Sequence, residues 1–201
     1  MNAKNIFRNM RGLAMSALLL IPAAFVSCSD DDTEGGSPYF RLENTVVSSK
    51  LVTASSDLGF DAEAIIGDAT DLDALVGERT FDRVFIDSPC TGLGTLRRHA
   101  DIRWRLRPET IAESAELDAR LLESAASHVA PGGILAYATC TVTHEENADA
   151  VEAFLATEAG AAFEVVPCRN PDPDIELPFF STVLEPGGPD AHFLALLRRK
   201  A

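Results

Sequence analysis

The feature that most constrains the fold is an alternation of strand-like and helix-like segments from about residue 58 onward. Phe81–Ile86 has the apolar, β-branched pattern of a strand. Residues 108–129 carry apolar side chains at helical spacing, with Pro108 placed for a first helical turn. A second apolar run, residues 134–138, follows Pro-Gly-Gly. The alternation predicts an α/β fold in which parallel strands are joined by helices.

The remaining elements complete the predicted sheet. A short strand is expected over 62–66, ending at Gly67. Thr143 and Glu146 are spaced as a capping box, which predicts a helix that starts there. Two closing strands are expected over 163–166 and 192–197, with a proline-rich surface loop between them.

Each of two predicted strands ends at a cysteine. Cys90 follows Asp87-Ser88-Pro89, and Cys140 follows the strand at 134–138. Two adjacent parallel strands would bring both thiols to one edge of the sheet, where open α/β sheets bind ligands. Close Cys or His pairs, which a zinc site needs, are missing, so no metal is predicted. A disulfide or two inert thiols are the alternatives.

The charge balance limits how the chain can meet nucleic acid. Seventeen Lys and Arg against 31 Asp and Glu give a net charge of −14, which repels polyanions at long range. RNA contact therefore needs a local basic patch. One is present, with His99 and Trp104 interleaved among Arg97, Arg98, Arg103, Arg105 and Arg107. The alternative is a solvated cationic face paired with neighbouring acids.

The first 28 residues have the pattern of an export signal. Lys4, Arg8 and Arg11 precede an apolar stretch over 13–26, which is too short to cross a bilayer as a helix. Phe25-Val26-Ser27-Cys28 resembles a bacterial lipobox, which implies a lipid on Cys28. We therefore expect a lipoprotein-type signal over 1–28 and a linker or remnant of an exported domain over 29–57. The alternative is a buried apolar helix that begins a cytosolic domain.

From about Leu58 to the C-terminus, residues 58–201, three motifs occur in a specific order: Asp-Ser-Pro-Cys ending at Cys90, the arginine-rich stretch through Trp104, and Ala-Thr-Cys-Thr around Cys140 with Glu-Glu-Asn at 145–147. Together they closely resemble RNA cytosine-5 methyltransferases of the RsmB and Sun type, bacterial enzymes that act on 16S ribosomal RNA. The resemblance implies a Rossmann-like, class I S-adenosylmethionine-dependent methyltransferase fold. It also implies S-adenosylmethionine as cofactor and ribosomal RNA as partner.

The same resemblance implies roles for individual residues. Cys140 corresponds to the nucleophile that adds to carbon 6 of cytosine, which activates carbon 5 for methylation. Cys90 corresponds to the residue that assists product release. Asp87 matches an acid at the junction of cofactor and base, and Asp68 matches one that holds the adenine end of the cofactor. The alternative for both acids is a turn at a strand end. The patch residues Arg97, Arg98, Arg103 and Trp104 are the candidate RNA contacts.

Four features of the family are missing from these 201 residues: the first strands of the sheet, the glycine-rich loop, an acid that binds ribose, and an RNA-binding region ahead of these. Gly92-Leu93-Gly94 is no substitute, because it follows the wrong strand and has no third glycine. We therefore expect a truncated fold and impaired cofactor binding. The simplest account is a composite chain.

The location of the protein depends on which part of this composite acts. A methyltransferase would be cytoplasmic, whereas a used signal would give a membrane-anchored lipoprotein that contacts the membrane only through lipid on Cys28. The alternative function is accordingly an exported, acidic lipoprotein with a non-catalytic methyltransferase-like domain.

Overall fold

The computed structural model describes residues 17–20, 65, 67–169 and 176–201. The helices are α1 (Leu72–Val76), α2 (Ile102–Arg105), α3 (Pro108–Ala126) and α4 (Ala148–Leu155). The strands are β1 (Ala17–Leu20), β2 (Phe81–Asp87), β3 (Val129–Thr139), β4 (Phe163–Val165), β5 (Cys168–Arg169), β6 (Glu176–Leu177), β7 (Phe180–Ser181) and β8 (Phe193–Arg199).

In the described part of the chain the main sheet has the order β1-β2-β3-β8-β4, with β7 also paired to β8. β1, β2 and β3 are parallel, whereas β8 runs antiparallel to β3, β4 and β7. β5 and β6 form a separate antiparallel pair. This mixed α/β sheet is Rossmann-like, as the sequence predicts.

The core lies between the sheet and α3. Leu121, Leu122 and Ala125 on one face of α3 are almost fully buried, as the helical spacing predicts. Val84 and Leu135 from the centre of the sheet pack in the same core. Burial of these apolar side chains fixes α3 against β2 and β3.

In the part of the chain that the structure describes, the elements that the sequence predicts are observed with shifted ends, whereas α1, α2, β1, β5, β6 and β7 are not predicted. The expected loop between the two closing strands contains the short strands β5, β6 and β7. β3 starts at Val129 rather than at 134, because Phe81 pairs with Val129 before an irregularity in the strand. The predicted capping box is wrong: α4 begins at Ala148 after Asn147. Glu146 does not reach back to the backbone there, because its carboxylate is drawn into a buried side-chain network described below.

Few of the N-terminal predictions lie within the described residues. Cys28 and the linker lie outside them, as does the strand at 62–66 except for Ile65, which packs against the core. Residues 17–20, predicted as part of the signal, form the strand that pairs with β2. The sequence predicts no strand there, but the edge of β2 has backbone groups that any extended segment can pair with.

Within the described residues, no helix combines the length and the apolar character needed to cross a membrane.

Candidate functional site

The ends of β2 and β3 bring the two candidate cysteines together. The strands are parallel, with Asp87 opposite Ala138. The N–H of Ser88 then donates to the Ala138 carbonyl at 2.8 Å, which extends the pairing beyond β2. The sulfur atoms of Cys90 and Cys140 lie 3.4 Å apart. The juxtaposition expected from the sequence is therefore present.

The two sulfurs form one hydrogen-bonded pair in which the thiols differ. The hydrogen bond between the two sulfurs, in which Cys90 must donate once Cys140 is ionised, lowers the pKa of Cys140. The same hydrogen bond, followed by burial, raises the pKa of Cys90. Cys140 is thus the thiol that ionises first, with Cys90 as its proton donor.

A fully buried carboxylate, Glu146, links the two cysteine loops. Its Oε1 accepts from the Thr91 N–H at 2.6 Å, and its Oε2 accepts from the Thr91 hydroxyl at 2.7 Å. The hydroxyls of Thr143 and Thr141 also donate to Oε2. Because Thr91 and Thr141 each directly follow one of the two cysteines, these bonds hold the two loops in register.

Asp87 lies at the end of β2, half-buried. Burial raises the pKa of its carboxyl, and the nearby His192 opposes that rise. The charge of Asp87 in turn raises the pKa of Cys140, so the carboxylate lies close to the thiol pair. His192 comes just before β8, and its place near Asp87 follows only from the tertiary fold.

Asp118 is a site residue that the sequence analysis missed. It lies in the middle of α3, fully buried, and its Oδ1 accepts a short hydrogen bond from the Ser88 hydroxyl. Burial raises the pKa of Asp118 to about 7. The sequence does contain a signal for it, because Asp118 is an acid on the apolar face of α3 that also carries Leu121 and Leu122.

Asp68, the candidate for the adenine end of the cofactor, is exposed and closes a local turn. Its Oδ1 accepts from both the N–H and the hydroxyl of Thr70, at 2.9 and 2.8 Å. These two bonds lower the pKa of Asp68. This geometry is the turn that the sequence analysis kept as the alternative, and the cofactor role stays a prediction.

Two of the predicted RNA-contacting arginines are held by an acid of the same chain. Asp190 is buried, and its Oδ2 accepts from Arg98 Nε at 2.6 Å. A guanidinium nitrogen of Arg97 lies 3.6 Å from Asp190 Oδ1. The alternative of a paired cationic face therefore describes these two side chains, and their contact with RNA stays a prediction.

α2 presents the other two candidate RNA contacts. Trp104 is 83% exposed, and the Arg103 guanidinium lies 5.9 Å from its ring centroid. Arg105 in the same helix pairs with Asp101 at 2.6 Å. Among the described acids none pairs with Arg103, so this cation and the indole form the open part of the patch.

Gly94 packs where the two cysteine loops and the start of β8 meet. Its N–H donates to the Cys140 carbonyl at 3.0 Å, and its carbonyl accepts from the Ala191 N–H at 3.0 Å. A β-carbon here would lie 2.2 Å from the Ala191 oxygen. Gly94 is thus required by close backbone packing.

No group of three or more potential metal ligands occurs in the described parts of the chain. Cys90, Cys140 and Cys168 are all free thiols. Cys168 is buried in β5 and has no place in the site.

Comparison with known proteins relates this chain to one family. The family model described as 16S rRNA methyltransferase RsmB/F matches residues 43–198. The match begins 15 residues before residue 58, where the predicted methyltransferase part begins. Ribosomal RNA small subunit methyltransferase B of Shewanella oneidensis is 39% identical over 173 residues, which cover 80% of this chain and 40% of that protein. The protein of the same description from Klebsiella pneumoniae strain 342 is 46% identical over 99 residues, or 49% of this chain and 23% of its own. The chain therefore spans less than half the length of these relatives.

Solved structures agree on the fold. The crystal structure of PH0851 is 33% identical with a TM-score of 0.62, over 75% of this chain and 34% of that one. NSun6 from Pyrococcus horikoshii, solved with SFG, is 22% identical with a TM-score of 0.56, over 76% of this chain and 38% of its own, and supports the fold alone.

Proposed function

This chain belongs to the RsmB/F family of 16S rRNA methyltransferases, and we propose that it is the part of such an enzyme that methylates carbon 5 of a cytosine in ribosomal RNA. S-adenosylmethionine is the proposed methyl donor. The observation that carries the proposal is the pair of thiols 3.4 Å apart at the ends of two adjacent parallel strands. A cytosine C5 methyltransferase needs one thiol that adds to carbon 6 and a second group that assists the elimination of this thiol after methylation.

In the proposed first step, the Cys140 thiolate adds to carbon 6 of the cytosine. Carbon 5 is a poor nucleophile until this bond forms and the electron pair of the double bond moves onto it. The lowered pKa of Cys140 increases the fraction of thiolate available. The Cys90 hydrogen bond therefore prepares the nucleophile before the base arrives.

In the second half of the reaction, carbon 5 carries both its proton and the new methyl group. The Cys90 sulfur, once its own proton has passed to solvent, accepts the carbon-5 proton, the double bond forms again, and the Cys140 thiolate is expelled. We assign Cys90 to assist this release, because its sulfur lies next to the bond that breaks. Glu146 keeps the two loops aligned through both steps by binding Thr91 and Thr141.

S-adenosylmethionine supplies, when bound, an electrophilic methyl group on a sulfonium. The residues present fit its reacting end: Asp87 is a half-buried carboxylate at the strand end beside Cys140. They fit the adenosine end less well, since Asp68 is engaged by Thr70 and no glycine-rich loop is present in the 201 residues. We therefore propose that Asp87 holds the cofactor near the thiols and that the chain alone binds it weakly.

The substrate would reach the thiols along the arginine-rich stretch. Trp104 and Arg103 together offer an aromatic face and a cation, the combination that stacks on single-stranded bases and contacts phosphates. Arg97 and Arg98, fixed by Asp190, would add charge close to β8. A local patch of this kind offsets the repulsion expected from the net charge of −14.

The proposal is tested by trapping the covalent adduct. A 16S RNA fragment containing 5-fluorocytidine is incubated with the full chain, S-adenosylmethionine and the N-terminal part of the Shewanella oneidensis relative. Fluorine on carbon 5 cannot leave as a proton does, so the adduct persists. Peptide mass spectrometry is expected to find the nucleotide on Cys140.

Three variants make this test specific. Cys140→Ala is expected to give no adduct, and Cys90→Ala is expected to accumulate adduct even on ordinary RNA. Cys168→Ala is the matched control, because it removes a buried thiol outside the site. An adduct or methylated RNA formed by Cys140→Ala would contradict the proposed mechanism.

The proposed reaction belongs in the cytoplasm, where ribosomal RNA and the methyl donor occur. Lipidation of Cys28 stays a prediction, since that residue lies outside the described part of the chain. Intact mass spectrometry of the protein purified from a bacterial host distinguishes the two fates. An unprocessed chain starting at Met1 supports the cytoplasmic assignment, and a lipid-bearing chain starting at Cys28 opposes it.

A further inference from the structure

Asp118 is a carboxyl group buried in the apolar face of α3, where its desolvation costs free energy. Its side chain is fully buried, whereas four other acids of α3 are exposed to solvent: Glu109, Glu113, Glu116 and Glu123. Its Oδ2 has no hydrogen-bond partner among the described residues. A buried carboxyl with one unpaired oxygen does not serve stability, so its presence needs another reason.

Asp118 interacts with the hydroxyls of Ser88 and Tyr137, and the hydrogen bond from Ser88 connects it to the segment that carries Cys90. The buried Ser88 hydroxyl donates to its Oδ1. Ser88 stands one residue after Asp87 and two residues before Cys90. α3 therefore reaches the candidate site through this hydroxyl.

On the other side of Cys90, a second buried carboxyl makes the equivalent contact. Glu146 binds the N–H and the hydroxyl of Thr91. The dipeptide Pro89-Cys90 is thus held at both ends by side chains that accept hydrogen bonds, one from α3 and one from the loop before α4. Two fixed ends define where the Cys90 sulfur stands relative to Cys140.

We propose that Asp118 is a positioning residue that holds the Cys90 thiol against Cys140 by accepting the hydrogen bond of Ser88. The inference rests on the proposed function only in taking these two cysteines as the reacting pair. Its immediate consequence concerns the thiols themselves. Without the hydrogen bond from Ser88 to Asp118, Cys90 can move away from Cys140. The two thiols then lose the difference in reactivity that their own hydrogen bond creates.

The groups that surround Asp118 bear on how this is tested. Tyr137 faces it from β3 and Glu146 from the loop before α4, and the charge of Glu146 raises the pKa of Asp118. Two variants therefore separate the charge of Asp118 from its ability to accept a hydrogen bond. Asp118→Asn keeps an accepting oxygen without a charge, and Asp118→Ala removes the acceptor.

The experiment measures competitive alkylation of the full chain with iodoacetamide at pH 7.5, followed by peptide mass spectrometry of Cys90 and Cys140. The wild-type chain is expected to label Cys140 preferentially. In Ser88→Ala and Asp118→Ala the ratio of Cys140 to Cys90 labelling is expected to fall about tenfold, which corresponds to about one pKa unit. Asp118→Asn is expected to stay within about threefold of wild type, because it still accepts from Ser88.

Ser124→Ala is the matched control. It removes a hydroxyl on the same helix that accepts from the Leu72 N–H, far from the cysteines in the hydrogen-bond network, and is expected to leave the ratio unchanged. If Asp118→Ala does not fold, Ser88→Ala alone carries the test, since it deletes a single oxygen. A wild-type ratio in folded Ser88→Ala, or a loss in Asp118→Asn as large as in Ser88→Ala, overturns the inference.

Alkylation needs no methyl donor and no RNA. If no adduct forms on Cys140 but the labelling ratios are as expected, the positioning role is supported and the proposed reaction is contradicted. If an adduct forms on Cys140 but Ser88→Ala leaves the labelling ratio unchanged, the reaction is supported and the positioning role is contradicted.

Discussion

At the scale of single residues, the site depends on carboxyl groups taken out of water. Glu146 compensates for its burial with several donors, among them the N–H of Thr91 at 2.6 Å. Asp118 has fewer donors, and its Oδ2 has no hydrogen-bond partner among the described residues. Because a buried carboxylate without partners is costly, the two residues should affect stability in opposite ways.

The pH dependence of stability provides a test of the Asp118 environment. Its pKa is about 7 in the folded chain, above the ordinary value of 3.8. A carboxyl with a raised pKa favours folding when protonated, so its contribution is full below pH 3.8 and is lost as the pH rises through about 7. The free energy of unfolding of the wild-type chain should therefore fall across this range through Asp118.

Asp118→Asn removes that slope. Relative to wild type, the variant is expected to gain stability at pH 8 compared with pH 5, by at most roughly 3 kcal/mol, because about two pKa units lie between pH 5 and the folded-state pKa. Urea denaturation at the two pH values measures the difference. Glu123→Gln, an exposed acid on the same helix, should show no such gain. An identical pH slope in wild type and Asp118→Asn would contradict the buried environment.

At the scale of elements, the site is a meeting of three chain segments at the ends of β2, β3 and the start of β8. Gly94 lies at the junction, bonded to the Cys140 carbonyl and the Ala191 N–H. Both neighbours are backbone, which cannot rotate away as a side chain can. The close approach therefore requires a residue without a β-carbon.

Gly94→Ala should separate these segments. The added carbon would stand 2.2 Å from the Ala191 oxygen and 2.7 Å from the Cys140 oxygen. We expect a loss of about 1–3 kcal/mol in the free energy of unfolding, as in other overpacked sites. The measurement is chemical denaturation monitored by circular dichroism.

Gly132→Ala serves as the comparison for this substitution. Gly132 has a φ of +76°, but a β-carbon there would meet nothing within 4 Å. Its cost should be limited to backbone strain of about 1 kcal/mol. A smaller loss for Gly94→Ala than for Gly132→Ala would show that the three segments can move apart freely.

At the scale of the whole molecule, the chain spans less than half the length of its relatives. It covers 40% of the Shewanella oneidensis relative and contains no glycine-rich loop. Within the described residues, the strand beside β2 is Ala17–Leu20, from the segment predicted as a signal. Completion of the cofactor site should therefore depend on residues from outside this chain.

Calorimetric titration with S-adenosylmethionine tests this dependence. The full chain alone is expected to bind weakly or undetectably, and addition of the relative's N-terminal part is expected to produce binding. Asp87→Ala should abolish that gain, because Asp87 is the acid beside the thiols. Micromolar binding by the chain alone, lost in Asp87→Ala, would mean that the described sheet already forms a complete cofactor site.

The sequence by itself determined the α/β architecture and the two thiols. Apolar periodicity marks α3, β2 and β3, because burial of one face imposes a period on any chain. The cysteines at the strand ends follow from the same reading, since parallel strands place their carboxyl ends at one edge.

Only the tertiary structure decided which polar groups support the thiols. Thr143 and Glu146 predict a helix cap at three-residue spacing, but Glu146 binds Thr91, which is 55 positions away. Asp118 and Ser88, 30 positions apart, meet for the same reason. Hydrogen bonds between distant residues depend on how elements pack, and a local pattern contains no information about that packing.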